Sequence, residues 1–148
     1  MTAPDLAALL DVLRETTTLT LATLDPDGTP RATPLYFAPT EQGSLIFLSD
    51  PATPHARNLA RSPAVAAAAY PEAAHWREIR GVQLKGMVDR PEAAEAEDAL
   101  GVYRRRFPFV DEVPAAVEGM AVYRLRPRWA RLIDNRLGFG HTAEWSWD

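Results

Sequence analysis

The sequence predicts a mainly β domain with a few helices (α+β), built as a six- to seven-stranded antiparallel β-barrel. Apolar and polar residues alternate in segments such as TTLTLATL (17–24) and EIRGVQLKGMVDR (78–90), which is typical of strands. Short turns such as DPDG (25–28) and EQG (41–43) separate these segments and favour antiparallel neighbours over a parallel α/β sheet. Because no repeat or linker divides the chain, we expect one domain over residues 1–148.

Three segments have the pattern of a helix. Leucines at helical spacing predict an amphipathic helix over residues 4–15, within an N-terminal helical segment 1–16. The segment PATPHARNLARSP (51–63) predicts a short helix with Thr53 as its N-cap. Residues 91–107 begin with proline and acidic residues and end with arginines, the charge order that a helix dipole favours.

The remaining periodic segments predict strands, in the order 17–24, 29–37, 44–49, 64–70, 78–90 and two strands within 119–134 that break near Pro127. Two prolines in TPRATPLYF (29–37) indicate an edge strand or a bulge. Gly81 and Gly86 indicate bulges or close approach of the backbone. Residues 135–148 lack periodicity and predict an irregular tail, whose Phe139, Trp145 and Trp147 we expect to cover a cavity or a partner.

The composition excludes several classes of function. A formal net charge of −4 argues against nucleic-acid binding, and the chain has no cysteine for disulfides, thiolate metal sites or nucleophilic catalysis. No apolar run approaches the roughly 20 residues that a membrane helix needs. The N-terminal residues have no basic region typical of a signal peptide, so we expect a cytoplasmic protein that binds no membrane.

The common catalytic motifs for dinucleotide binding, P-loops, zinc proteases and serine hydrolases are absent from the sequence. The three histidines, His55, His75 and His141, show no spacing typical of metal ligands, and we predict no metal site. A structural or solvent-exposed role is expected for each of them.

The segment 51–63 offers a candidate anion site. A helix that starts at Thr53 presents free N–H groups, and His55 lies in its first turn. Arg57 and Arg61 are four residues apart and share a face. The residues are equally consistent with a capped surface helix whose arginines lie in water.

A second candidate is RGVQLKG (80–86). Alternation places Val82 and Leu84 on one face of the strand and Gln83 and Lys85 on the other. The Gln83 amide both donates and accepts hydrogen bonds, which suits the edge of a heteroaromatic ring. A solvent-facing Gln83 is the alternative.

These segments, in this order, resemble the FMN-binding split-barrel family of pyridoxamine 5'-phosphate oxidase and its relatives. The resemblance covers about residues 17–133 and is carried by GTPRATPLYF, GSLIFLS, TPHARNLARSPAVAAA and IRGVQLKG. It implies a split barrel that forms a homodimer, with two FMN sites at the interface. The phosphate would lie near the helix start and the ring against strands of both subunits.

The resemblance implies a set of cofactor-binding residues. Thr33, Pro34 and the main chain of Leu35 and Tyr36 would line the ribityl and ring region. The other implied residues are Leu48 and Ser49 at the next strand end, Thr53, His55 and Arg57 at the phosphate, and Gln83 near the ring.

The chain also departs from the oxidase pattern. Thr33 and His55 stand where the oxidase has basic phosphate ligands, and Arg57 is a candidate to restore the charge. The C-terminal region lacks the Trp and Arg pattern that holds pyridoxamine phosphate, so we do not predict vitamin B6 oxidation. No residue is assigned as a catalytic acid or base, although His141 and Tyr36 are candidates near the ring.

The resemblance therefore implies an FMN-dependent oxidoreductase that acts on an unknown small molecule, with a deazaflavin as an alternative cofactor. A second reading is a non-enzymatic dimer that binds flavin or haem, in which His55, His75 or His141 would be an axial ligand. A third is a member of the family that has lost its cofactor.

Overall fold

The structure is a computed structural model that describes residues 3–147. In this range the strands are β1 (Thr18–Leu24), β2 (Pro30–Tyr36), β3 (Ala38–Pro39), β4 (Leu45–Ser49), β5 (Ala64–Ala69), β6 (Arg80–Asp89), β7 (Ala121–Asp134) and β8 (Thr142–Ser146). The α-helices are α1 (Ala3–Glu15), α2 (Pro54–Arg61), α3 (Ala93–Arg106) and α4 (Pro114–Val117), with 3-10 helices at Trp76–Glu78, Pro108–Glu112 and Asn135–Leu137. None of the described helices has both the length and the apolar character needed to span a membrane.

One antiparallel sheet contains all of these strands, and it confirms the predicted fold class. The order of strands is β2-β1-β5-β6-β7-β4-β3, and β8 also pairs with β7. Two strands share one edge of β7, because residues 121–125 pair with β4 and residues 129–133 pair with β8. The sheet therefore forks along β7 and curls into a split barrel.

The predicted strand break near Pro127 is wrong, because β7 continues through this residue. Pro127 lies opposite Gly86, where the register between β6 and β7 shifts. Proline lacks an N–H group, and a bulge is a position in a sheet that tolerates it. A Cβ atom at Gly86 would collide with the main chain of Arg126, so the predicted close approach at this glycine is confirmed.

The prediction of an irregular tail over residues 135–148 is also wrong for residues 142–146, which form β8. The strand forms because Trp145 and its neighbours pair with β7 and gain a partly buried position. Trp145 and Trp147 cover the protein core rather than a cavity. Phe139 remains 83% exposed, with its ring 5.6 Å from that of Trp76.

The main core lies between the inner face of the sheet and α1. Leu9 and Leu13 of α1 are fully buried, as their helical spacing predicts. Leu19 and Leu21 of β1 alternate with exposed residues and point to the same core. A second apolar cluster packs α3 against the opposite face of β4.

Arg106 connects the end of α3 to the end of α1. Its guanidinium donates hydrogen bonds to the carbonyl oxygens of Leu13 at 3.2 Å, Phe37 at 3.0 Å and Thr16. The last carbonyl groups of a helix have no partner within the helix, so Arg106 caps the C-terminus of α1.

Candidate functional site

Helix α2 starts and ends where the sequence predicts. Thr53 has an extended backbone, and its hydroxyl oxygen accepts a hydrogen bond from the N–H of Ala56 at 3.4 Å. Pro54 occupies the first helical position, where the missing N–H has no cost. Ser62 ends the helix, and its N–H donates to the carbonyl of Asn58 at 2.8 Å.

A cluster of three polar side chains joins the end of β4 to the first turn of α2. The Nε2 atom of His55 lies 2.7 Å from the hydroxyl of Ser49 and 3.4 Å from that of Thr53. Ser49 is 4% exposed and His55 is 9% exposed. The structure therefore brings together three of the sequence-predicted site residues.

The environment of His55 favours its neutral form. Burial lowers the pKa of the imidazole, and the positive charge of Arg31 lowers it further. Because the ordinary pKa is already 6.5, His55 provides a hydrogen-bonding group at neutral pH and not a positive charge.

Next to this cluster, Asn58 connects α2 to the turn between β1 and β2. Asn58 is 2% exposed, and its amide nitrogen donates to the hydroxyl of Thr23 at 3.0 Å and to a carboxylate oxygen of Asp25 at 2.8 Å. The same oxygen of Asp25 accepts from Nε of Arg31 at 2.7 Å. These hydrogen bonds, that of Arg31 first and that of Asn58 second, hold the pKa of Asp25 below its ordinary value.

Arginines surround a cavity of about 410 Å³ beside this network. Its lining residues are Asp25, Pro26, Asp27, Arg31, Pro54, Arg57, Asn58 and Arg61. The predicted common face of Arg57 and Arg61 is confirmed, since both line this cavity. Ser49 and His55 are not part of the lining, so Arg57 lies with Arg31 and Arg61 rather than in the His55 cluster.

The predicted residues of β2 divide between the two faces of that strand. Arg31, Thr33 and Leu35 lie on one face of the strand. The register places Thr33 opposite Leu21, on the core side. Leu35 packs against the main core. Pro34 and Tyr36 lie on the other face, where the Tyr36 ring contacts Phe107 and Phe109, with centroids 5.3 and 5.6 Å away.

Two other predicted residues lie away from the start of α2. Leu48 is half-buried and packs against the cluster under α3. Gln83 is exposed on the outer face of β6, in a row where the register sets it beside Ala68 and Arg131. Within one chain, Gln83 and Thr33 therefore occupy opposite faces of the sheet.

Gln83 lines two cavities on this outer face. The first, of about 590 Å³, is largely apolar and includes Tyr70, Gly81 and Ile133. The second, of about 430 Å³, lies over Ala66, Ala68 and other small side chains of β1 and β5, and is bordered by Trp129. The predicted close approach at Gly81 is confirmed, because a Cβ there would lie 3.0 Å from Cβ of Tyr70.

His75 and His141 lie in loops at one end of the sheet, and both are exposed. The Nδ1 atom of His75 accepts a hydrogen bond from the N–H of Arg77 at 3.2 Å. The two loops are tied together by Asn135, whose amide nitrogen donates to the carbonyl of Trp76 at 2.9 Å.

Sequence reasoning missed Asp25, Arg31 and Asn58. Alternation in β2 offers a signal for Arg31, because it shares a face with Thr33 two residues later. A polar residue on the buried side of a short helix is the corresponding signal for Asn58.

Comparison with known proteins places this fold in a family. Residues 6–134 match the family described as pyridoxamine 5'-phosphate oxidase. The chain belongs to this family. The match spans the elements from α1 to the end of β7, including α2 and the arginine-lined cavity.

Two other proteins are similar to this chain over most of its length. UPF0306 protein YhbP of Salmonella schwarzengrund is 32% identical over 114 residues, which cover 77% of this chain and 74% of the Salmonella protein. A conserved hypothetical protein of Mycobacterium tuberculosis, Rv2991, is 26% identical, with a TM-score of 0.74 and coverage of 97% of this chain and 91% of that chain.

A heme binding protein from Mycobacterium smegmatis has the same fold, with a TM-score of 0.82 at 22% identity. The comparison covers 99% of this chain and 59% of the mycobacterial chain. This chain therefore spans less than two thirds of that protein, and the similarity describes the fold alone.

Proposed function

We propose that this protein binds FMN, or a related flavin or deazaflavin, and is an oxidoreductase that acts on a small molecule. The observation that carries the proposal is the arginine-lined cavity beside the N-terminal turn of α2, in a chain of the pyridoxamine 5'-phosphate oxidase family. Guanidinium groups are donors that suit a phosphate. The residues present therefore fit the phosphate end of a flavin.

The residues of this site would bind and orient the cofactor. Arg57 would hold the phosphate, with Thr53, Ser49 and His55 supporting the helix start. The main chain of Leu35 and Tyr36 would line the ribityl and ring region beside Thr33 and Pro34. A bound flavin would supply hydride or electron transfer, while the protein provides position and electrostatics.

A homodimer is part of the proposal, since Gln83 lies on the opposite sheet face from Thr33. A second copy seated on the outer face would bring its Gln83 amide to a ring held by the first copy. The side chains of Ala66 and Ala68 are small, so a second copy could approach this face of the sheet closely.

Oxidation of pyridoxamine phosphate is not part of the proposal, because the C-terminal residues lack the pattern that holds this substrate. A cytoplasmic location is proposed from the sequence alone, where the absence of cysteine agrees with a reducing compartment.

The absorption spectrum of the purified protein tests this proposal, together with titration of the apoprotein by FMN and riboflavin. We expect flavin absorption bands and quenching of flavin fluorescence on binding. A protein that binds neither flavin would contradict the proposal and favour a member that has lost its cofactor.

Haem binding is the second candidate function. It is supported by the fold shared with the mycobacterial heme binding protein and by two exposed histidines, His75 and His141. The His75 ring lies 5.6 Å from that of Trp76. His55 is already bonded to Ser49, which disfavours it as an axial ligand. Titration with haemin would then give a Soret band that is lost in His75→Ala or His141→Ala, and an unchanged spectrum of free haemin would exclude this function.

A further inference from the structure

The sequence offers Arg57 alone as a source of positive charge for the anion site. A phosphate monoester carries nearly two negative charges at neutral pH, so a cationic side chain is expected at its site. His55 does not provide this charge, because its imidazole is buried, bonded to Ser49 and neutral. The arginines of the neighbouring cavity are the available cations.

Arg31 has hydrogen-bonding capacity to spare. Its Nε atom donates to Asp25 at 2.7 Å, and in the described residues its two terminal nitrogens have no hydrogen-bond partner. Its side chain is 42% exposed, and it lines the cavity. Since a guanidinium binds phosphate through its planar N–H groups, the free edge of Arg31 can receive an anion.

Arg57 is the second available cation. It is exposed, lines the same cavity and forms no ion pair within residues 3–147. Arg61 differs, because its guanidinium already donates to the carbonyl of Leu24 at 2.6 Å and to the side-chain oxygen of Asn58 at 2.8 Å.

The carboxylates of the cavity are also engaged. Asp27 accepts from the hydroxyl of Thr29 at 2.6 Å and from its N–H at 3.0 Å. Asp25 accepts from both Arg31 and Asn58. Both aspartates therefore already have hydrogen-bond partners. The lining has three arginines and two aspartates, so its net charge is positive.

Asp25 and Asn58 fix the direction of Arg31. The Asp25 carboxylate holds Nε of Arg31, and Asn58 holds the same carboxylate from α2. Asn58 is itself fixed by Thr23 and Arg61. A side chain held this way loses less entropy when it binds a ligand than a freely rotating one.

We infer that Arg31 and Arg57 bind the phosphate group of a phosphorylated ligand in this cavity, and that Asp25 and Asn58 are positioning residues for Arg31. The inference rests on the proposed function for the identity of the ligand, a flavin phosphate. It assigns the charge to β2 and to the exposed face of α2 rather than to His55.

The test compares FMN with riboflavin, which has the same ring and no phosphate. We expect Arg31→Gln and Arg57→Gln each to weaken FMN binding by about tenfold to a hundredfold, as lost charged hydrogen bonds do, and to leave riboflavin binding unchanged. Arg105→Gln, at an exposed arginine outside this cavity, is the matched control and should alter neither affinity.

The positioning residues are tested by the ratio of the affinity for FMN to the affinity for riboflavin. Asp25→Asn should lower the affinity for FMN less than Arg31→Gln does, again with riboflavin unchanged. A purely structural role for Asp25 would lower both affinities together. His55→Gln should change the ratio of FMN to riboflavin affinity less than Arg31→Gln does.

The outcomes separate this inference from the proposed function. If FMN binds and its preference over riboflavin survives in Arg31→Gln and Arg57→Gln, the inference is overturned and the proposed function stands. If the unaltered protein binds neither flavin, the proposed function fails, and inorganic phosphate becomes the probe, followed by phosphorus NMR. Phosphate binding that requires Arg31 and Arg57 would then support the anion site, and its absence would overturn the site as well.

Discussion

The buried imidazole of His55 lies 2.7 Å from the hydroxyl of Ser49, the last residue of β4. This contact fixes the point at which α2 leaves the sheet, because His55 is in the first turn of that helix. The candidate site is therefore built on a strand end and a helix start whose relative position is set by one polar pair.

The pH dependence of stability follows from this pair. Burial holds the pKa of His55 below 6.5, so below that pH the unfolded chain takes up a proton before the folded chain does. The contribution of neutral His55 is complete above pH 6.5 and is lost as the pH falls toward the lowered pKa of the folded state. We expect His55→Gln to show a smaller loss of unfolding free energy on acidification, measured by urea titration across this range.

His141 provides the control, since it is exposed. The variant His141→Gln should keep the pH dependence of the unaltered protein. Equal slopes for the unaltered protein and His55→Gln would contradict the assigned role of His55.

Asn58 is expected to make a large contribution to stability for a polar residue. Asn58→Ala removes the side-chain hydrogen bonds to Thr23, Asp25 and Arg61 and leaves the Thr23 hydroxyl without this donor, which should lower the free energy of unfolding by about 1–3 kcal/mol. Urea unfolding measures the loss. A double-mutant cycle with Thr23→Val should show coupling between the two residues, and strict additivity would argue against the bond.

Gly86 is expected to tolerate no side chain. In Gly86→Ala the new methyl group would meet the main chain of Arg126, so we expect a loss of about 1–3 kcal/mol, as for other overpacked sites. Gly119→Ala is the matched control, because no atom lies within 4 Å of a Cβ at that position. Thermal unfolding that shows the same midpoint for both variants would contradict the close approach of β6 and β7.

Arg106 should be more important for stability than its neighbour Arg105. Arg106→Lys keeps the charge but cannot reach several carbonyl groups at once, and we expect it to lower the free energy of unfolding by about 1–3 kcal/mol. Arg105→Lys changes an exposed arginine and should have little effect. Similar urea midpoints for the two variants would show that the cap on α1 contributes nothing.

The proposed dimer makes a prediction about Ala68, which lies on the outer face of β5. A long charged side chain in Ala68→Arg would block a second copy, so light scattering at micromolar concentration should give a dimer mass for the unaltered protein and a monomer mass for the variant. Ala94→Arg, on the exposed side of α3, should remain a dimer. A monomeric unaltered protein would refute the dimer, and a dimeric Ala68→Arg would place the interface elsewhere.

The parts of the fold that depend on local chemistry could be predicted from the sequence. Helix α2 has its N-cap and its terminating proline within the segment itself, so its ends were predictable. Strand β8 forms only because β7 offers an edge, and a weakly periodic segment gives no sign of that partner. The prediction of a strand break at Pro127 is wrong for the same reason, since the bulge opposite this residue depends on Gly86, 41 positions earlier in the chain.

The candidate site shows the same division. The residues Ser49, Thr53 and His55 lie close in sequence, and the structure brings them together. The bond from Asn58 to Asp25 spans 33 positions, and no local pattern could have paired them. Arg57 was identified as a cation, but its neighbours in the cavity depend on how the β1–β2 turn folds against α2.

The connections of Asn58 and Arg61 to the β1–β2 hairpin also determine how this region opens. A helix of eight residues has little stability in isolation, so α2 persists through its contacts with other elements. Since Asn58 and Arg61 bind Thr23, Leu24 and Asp25, we expect the amides of α2 and of that hairpin to exchange hydrogen as one cooperative unit. A ligand that bridges Arg31 and Arg57 would slow exchange in both elements at once.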